Sequence, residues 1–141
     1  MAICIIGGRE AEDALCLLRK LNAAGYAARD LSGVAPGDFL LVNVDEGGTK
    51  NLLEGAVAKI ITYGFNGKSC VTASSVTQAL YATIICCVQR GLPTLRGNLL
   101  EEQEFSVTVA DSVLSIYSVL AAVTAALISD VGADKISGVV L

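Results

Sequence analysis

The segment Thr62–Ser69, TYGFNGKS, gathers the residue types that hold a nucleotide phosphate: glycines, a lysine and a hydroxyl. In the pattern G-x-x-x-x-G-K-[ST], loop N–H groups wrap the phosphates, the lysine adds charge and the hydroxyl faces magnesium. Gly67 and Lys68 fall on the final glycine and the lysine and Ser69 on the hydroxyl, while Thr62 stands at the first glycine position. The chemistry implied is binding of ATP with magnesium, through Gly64, Asn66, Gly67, Lys68 and Ser69. Such a loop works only if a helix opens at about Lys68 and aims its N-terminus at the anion. The residues that follow, CVTASSVT, are poor helix starters: Val71, Thr72, Val76 and Thr77 are β-branched, and Ser74-Ser75 favour non-helical hydrogen bonds. That composition favours strand-turn-strand over strand-loop-helix.

Other groups invite chemistry and have structural readings beside it. Gly7-Gly8 lies between an apolar run and a helical pattern, where an anion-binding bend belongs, but the G-x-G-x-x-G spacing fails. Glu10, Glu12 and Asp13 would repel phosphate and suit an unliganded helix dipole, so a tight turn is expected there. Asn43 and Asp45 end an apolar strand, the place where open α/β sheets bind ligands. Glu101, Glu102 and Glu104 are adjacent carboxylates near Gly97-Asn98, read as a solvated turn because nothing is present to push their pKa values apart. Asp111, after FSVTVA, suits a helix cap better than a magnesium-side carboxylate. The chain has no histidine, which excludes imidazole catalysis and the common zinc sites within it. Its five cysteines form no C-x-x-C pair, and free thiols without a metal are expected. Cys86 and Cys87 should point to opposite faces of a strand.

The elements that must position these groups follow from periodicity. Ile3–Ile6, Asp38–Val44 and Lys59–Tyr63 read as buried strands, with Tyr26–Leu31 as a shorter one. Glu10–Ala24 reads as an amphipathic helix stopped by Gly25, and 49–56 as a short helix. VTASSV, YATIICCVQ and EFSVTVA read as antiparallel strands separated by turn signals. Ser112–Ser129 is eighteen residues without a charge, flanked by Asp111 and Asp130 and broken by serines, and is expected to be a buried helix and not a membrane span. Asp134–Leu141 is expected to add one more turn. With 141 residues, 53% hydrophobic and 17% charged, the chain suits one compact domain. A net charge of −4 with no basic stripe argues against nucleic acid as a partner.

In order and spacing, GDFLLVNVDE, AKIITYGF, KSCVTASSV, EEQEFSVTV and LSIYSVLAAVTAAL resemble the second half of the Mur ligase central domain, shared with folylpolyglutamate synthases, over roughly residues 37–130. GFNGKS also resembles that family's GTNGKT phosphate loop, with Phe65 the departure. The resemblance implies that Asn43 and Asp45 match an N-x-D strand end. It also implies that Ser115 and Ser118 stand where the family has two asparagines, the first of which helps hold adenine, with Leu114 in place of the histidine. The family's magnesium-binding and carbamylated residues have no counterparts here.

The expectation is a single α/β three-layer Rossmann-like domain, a mainly parallel sheet with an antiparallel hairpin extension. The expected function is a non-catalytic, cytoplasmic binding or assembly module, holding a nucleotide-like or cell-wall metabolite at Asn43, Asp45, Ser115 and Ser118. The alternative is an ATP-binding ligase-type enzyme using Gly64–Ser69. Apolar residues around most of the Ser112–Ser129 helix further imply a homo-oligomer, most simply a homodimer, that covers the surplus, with local loops folding over the helix as the alternative.

Overall fold

A computed structural model of the chain describes residues 1–47, 58–78, 81–110 and 114–141. Seven strands form one sheet in the order β2-β1-β3-β4-β5-β6-β9: β1 (Ile3–Ile6), β2 (Tyr26–Ala28), β3 (Phe39–Asn43), β4 (Lys59–Tyr63), β5 (Val71–Gln78), β6 (Ala82–Val88) and β9 (Gln103–Val109). Neighbours from β2 to β5 run parallel, and β5-β6 and β6-β9 are antiparallel. A small hairpin, β7 (Leu92–Pro93) with β8 (Leu99–Leu100), sits apart. The helices are α1 (Arg9–Lys20), α2 (Ile116–Ile128) and α3 (Ala133–Ser137). The mixed α/β class and mainly parallel sheet are as the sequence implies; the 49–56 helix and Asp111 lie outside the described residues.

The continuous apolar runs of β1 and β3 are buried on both faces, as central parallel strands require. On one face Ile3, Ile5, Phe39, Leu41, Ile61 and Tyr63 join the buried residues of α1, α2 and α3 in one core. On the other, Cys4, Ile6, Leu40 and Val42 form a second cluster against Tyr26, Ala28, Leu31, Val34 and Ala58. The described helices therefore share one face of the sheet.

Parallel neighbours ordinarily need a long crossover, yet only residues 64–70 join β4 to β5. The short link suffices because the two strands meet at a single register pair, Tyr63↔Val71. β5 starts where β4 stops, so the β5-β6-β9 extension rises beyond the C-terminal end of β4. Along β6 the faces alternate, and Cys86 is buried while Cys87 is half-buried, on opposite sides as expected.

Boundaries depart from the expectations at the end of α1 and the start of α2, and β2 stops at Ala28, short of Leu31. α1 ends at Lys20, not Ala24: Asn22 takes a left-handed φ of 56°, and the Ala23 and Asn22 N–H groups return to Leu18 and Arg19 carbonyls, closing the helix before Gly25. α2 starts at Ile116, with Ser115 as its cap. Asp130, at φ 65°, ends it in the same way, through Val131 N–H to Ala126 O and Asp130 N–H to Leu127 O.

Every residue of α2 from Ser118 to Ile128 is buried within the single chain. α1, the sheet, α3 and the segment around β7 surround it; Leu92 is fully buried, and the Leu95 N–H donates to Ile128 O at 2.8 Å. Thr124 and Ser129 satisfy their hydroxyls on the carbonyls of Leu120 and Ala125. The apolar circumference that suggested a second copy is thus covered internally, and α2 supplies no reason for self-association. Among the described residues no helix is long and apolar enough to cross a membrane.

Candidate functional site

The strand order reverses between β1 and β3, so the C-terminal ends of these strands and β4 lie at the switch point beside which open α/β sheets take ligands. Asn43, the last residue of β3, is buried, and its Oδ1 accepts the Asp45 N–H at 2.9 Å. That Asx turn swings Asp45 across the end of β4. Its carboxylate accepts the N–H of Phe65 on Oδ2 at 2.6 Å and the N–H of Asn66 on Oδ1 at 3.2 Å. The Tyr117 hydroxyl, from the first turn of α2, donates to Oδ2 at 3.0 Å. Gly64 makes this approach feasible: φ is +141°, and a Cβ there would stand 2.8 Å from Asp45 Oδ2.

The loop is organised around its own side chains. Asn66 Oδ1 accepts the Lys68 N–H at 2.9 Å. The single proton of the buried Ser69 hydroxyl is shared inward between the carbonyls of Gly64 (2.9 Å) and Asn66 (2.8 Å), and the Gln89 side-chain amide donates to Ser69 O at 2.9 Å. Lys68 is exposed, Val71 begins β5, and no helix opens at Lys68. Two successive N–H groups do point at an anion, as in a phosphate-binding nest, but the anion is Asp45. Phe65, the departure from the phosphate-loop pattern, packs edge-on against Tyr117 with ring centroids 5.5 Å apart.

Ser115 and Ser118 do reach the same edge. Ser115 Oγ caps α2 by accepting the Tyr117 N–H at 3.1 Å and donates to Glu10 Oε1 at 3.1 Å. Ser118 Oγ donates to the Glu10 carbonyl at 3.0 Å. Both hydroxyls thus tie the start of α2 to the start of α1. Burial, and then the Asp45 acceptor, raise the pKa of Tyr117, which keeps its proton and its role as donor. Burial, followed by the charges of Glu10 and Glu46, raises Tyr63 in the same direction.

Gly7 takes φ +148° and donates its N–H to Ala28 O at 2.9 Å, the tight turn expected there. Glu101, Glu102 and Glu104 are exposed, and Glu104 accepts from Cys87 Sγ at 3.3 Å across the β6-β9 pair. Among the described residues no three His, Cys, Asp or Glu side chains cluster as a metal site would need. Sequence reasoning placed Asn43, Asp45, Ser115 and Ser118 in one candidate site and Gly64–Ser69 in a rival one; the structure brings both to one edge, together with Tyr117 and Glu10, which sequence reasoning missed. Tyr117 reads as one more apolar position of a buried helix, and only its place between two site serines hinted otherwise.

No protein-family profile matches the chain, and no curated protein matches it.

Proposed function

We propose that this chain is a non-catalytic binding or assembly module on a three-layer, Mur-ligase-like scaffold, whose strand-end surface takes a small metabolite and not ATP. The observation that carries the reading is the Asp45 carboxylate seated on the Phe65 and Asn66 amides, where a nucleotide-binding loop would seat a phosphate. A negative charge seated there opposes a polyphosphate. Two further features support it: Ser69, the hydroxyl that would face magnesium, is turned inward, and a strand follows the loop where a helix dipole is needed. The serines at the family's asparagine positions hold Glu10 and the α2 cap, which leaves them poorly placed to hold adenine.

Isothermal titration of the wild type and Lys68→Ala with ATP and magnesium tests this reading. No saturable heat is expected from either. Saturable binding to the wild type that Lys68→Ala abolishes would replace the module with an ATP-binding enzyme.

A further inference from the structure

Asp45 is held by more than a passing contact. Its two carboxylate oxygens meet two successive backbone amides, one each, and Oδ2 also takes the Tyr117 hydroxyl. The donors come from positions 20, 21 and 72 residues along the chain, so β3, the β4-β5 loop and the start of α2 converge on one carboxylate. Gly64 removes the side chain that would block the approach. Yet Asp45 is exposed, and rotation about its side-chain bonds would free the donors to a group arriving from solvent.

We propose that the amides of Phe65 and Asn66 with the Tyr117 hydroxyl form a receptor for the free carboxylate of a small molecule, and that Asp45 is its exchangeable internal occupant. The amide pair grips two oxygens of a planar group, which fits a carboxylate directly. The exposed Lys68 and Arg90 belong to the same corner: the Lys68 N–H is bonded to Asn66, and the Arg90 guanidinium donates to Gly67 O at 3.4 Å. Glu10 opposes an incoming anion, but its Oε1 accepts a hydrogen bond from Ser115. The ring edge pairing of Phe65 and Tyr117 gives the ligand an apolar flank beside its carboxylate. Exchange at Asp45 would loosen the tie between the loop and α2, so occupancy by a ligand would be felt at both elements. This inference rests on the reading that the edge takes a metabolite other than ATP.

Asp45→Ala removes the internal occupant and leaves the donors in place. Its unfolding is followed in sodium acetate, sodium phosphate and sodium chloride at matched ionic strength, with the wild type alongside. Acetate is expected to stabilise Asp45→Ala saturably, multiplying its folding constant roughly tenfold at about ten times the half-saturating concentration. Chloride should do neither, and the wild type should respond to acetate far less. The Phe65 and Asn66 amide resonances of the variant should move with the same midpoint, and Tyr117→Phe added to it should weaken the acetate response. Should Asp45→Ala fail to fold, Asp45→Ser vacates the same position while keeping a turn-forming side chain, and gives the same readouts. An acetate effect no larger than that of chloride, or equal in the wild type, would overturn the receptor; a stronger response to phosphate would overturn its assignment to carboxylates. ATP binding by the wild type would sink the functional reading, whereas the acetate response of the variant decides this inference alone.

Discussion

Gly64 and Asp45 should be energetically coupled, and a double-mutant cycle measures by how much. Gly64→Ala places a side chain at φ +141°, with a Cβ 2.8 Å from Asp45 Oδ2 and 3.1 Å from Val44 Cγ1. The backbone strain alone costs about 1–3 kcal/mol. Relieving the contact means moving either the loop or the carboxylate, which adds the loss of the hydrogen bonds between them. Those bonds go to an ionised acceptor, worth about 1.5–3 kcal/mol each in a dry site. Asp45 is exposed, so screening reduces the three together to roughly 1–2 kcal/mol, the expected cost of Asp45→Ala. Without the carboxylate the contact with Asp45 disappears, the one with Val44 Cγ1 remains, and the same bonds cannot be lost twice. The double variant should therefore be less destabilised than the sum of the single variants by about 1 kcal/mol. Urea unfolding with unchanged m-values provides the free energies. Additivity within about 0.3–0.5 kcal/mol would refute the claim that Gly64 is a glycine because Asp45 lies against it.

Leu120→Ala, at a fully buried position of α2, should cost about 2–5 kcal/mol by urea unfolding, and a cost under about 1 kcal/mol would contradict the internal cover of that helix. Native-state alkylation followed by mass spectrometry should label exposed Cys16 first and leave Cys4 and Cys86 unlabelled until unfolding, since burial pushes the Cys86 thiol up to about 12; early labelling of Cys86 would be a contradiction. Asp38 is held below the ordinary carboxylate range by the Tyr26 hydroxyl first, then by the Ala2 and Ala35 N–H groups. Its contribution is present above the unfolded pKa of about 4 and is lost as pH falls through the lower folded value, so Asp38→Asn should flatten the acid limb of melting temperature against pH; an unchanged limb would count against it.

Much of this was legible from local pattern. Ile3–Ile6 and Lys59–Tyr63 appear with the bounds read from their apolar runs, because central parallel strands leave little choice of residue. The poor helix propensity of the segment after Ser69 correctly announced β5. The stop of α1 was misread because Gly25 is the obvious breaker, while Asn22 enters the left-handed region using a local property that many asparagines never express. Asn43, Asp45, Ser115 and Ser118 were legible as one strand-end group and Gly64–Ser69 as a rival phosphate loop, but the hydrogen-bond network that joins the two was not. That Asp45 would fill the loop amides depends on the Asx turn at Asn43 and the tertiary approach of Tyr117, neither of which leaves a periodic trace. Whether a second copy or local loops cover α2 was left open by the sequence, since nothing local says that the chain around Leu92 and Leu95 folds back over it.

The central claim is that Asp45, and not a nucleotide, occupies the amides of Phe65 and Asn66. Nitrogen-resolved NMR of the wild type, titrated with ATP and magnesium and compared with Asp45→Asn, tests it most directly. These two amide resonances should stay fixed through the titration and move upfield in Asp45→Asn, which loses the charged acceptor. Saturable movement of both with ATP in the wild type, and indifference to Asp45→Asn, would contradict it.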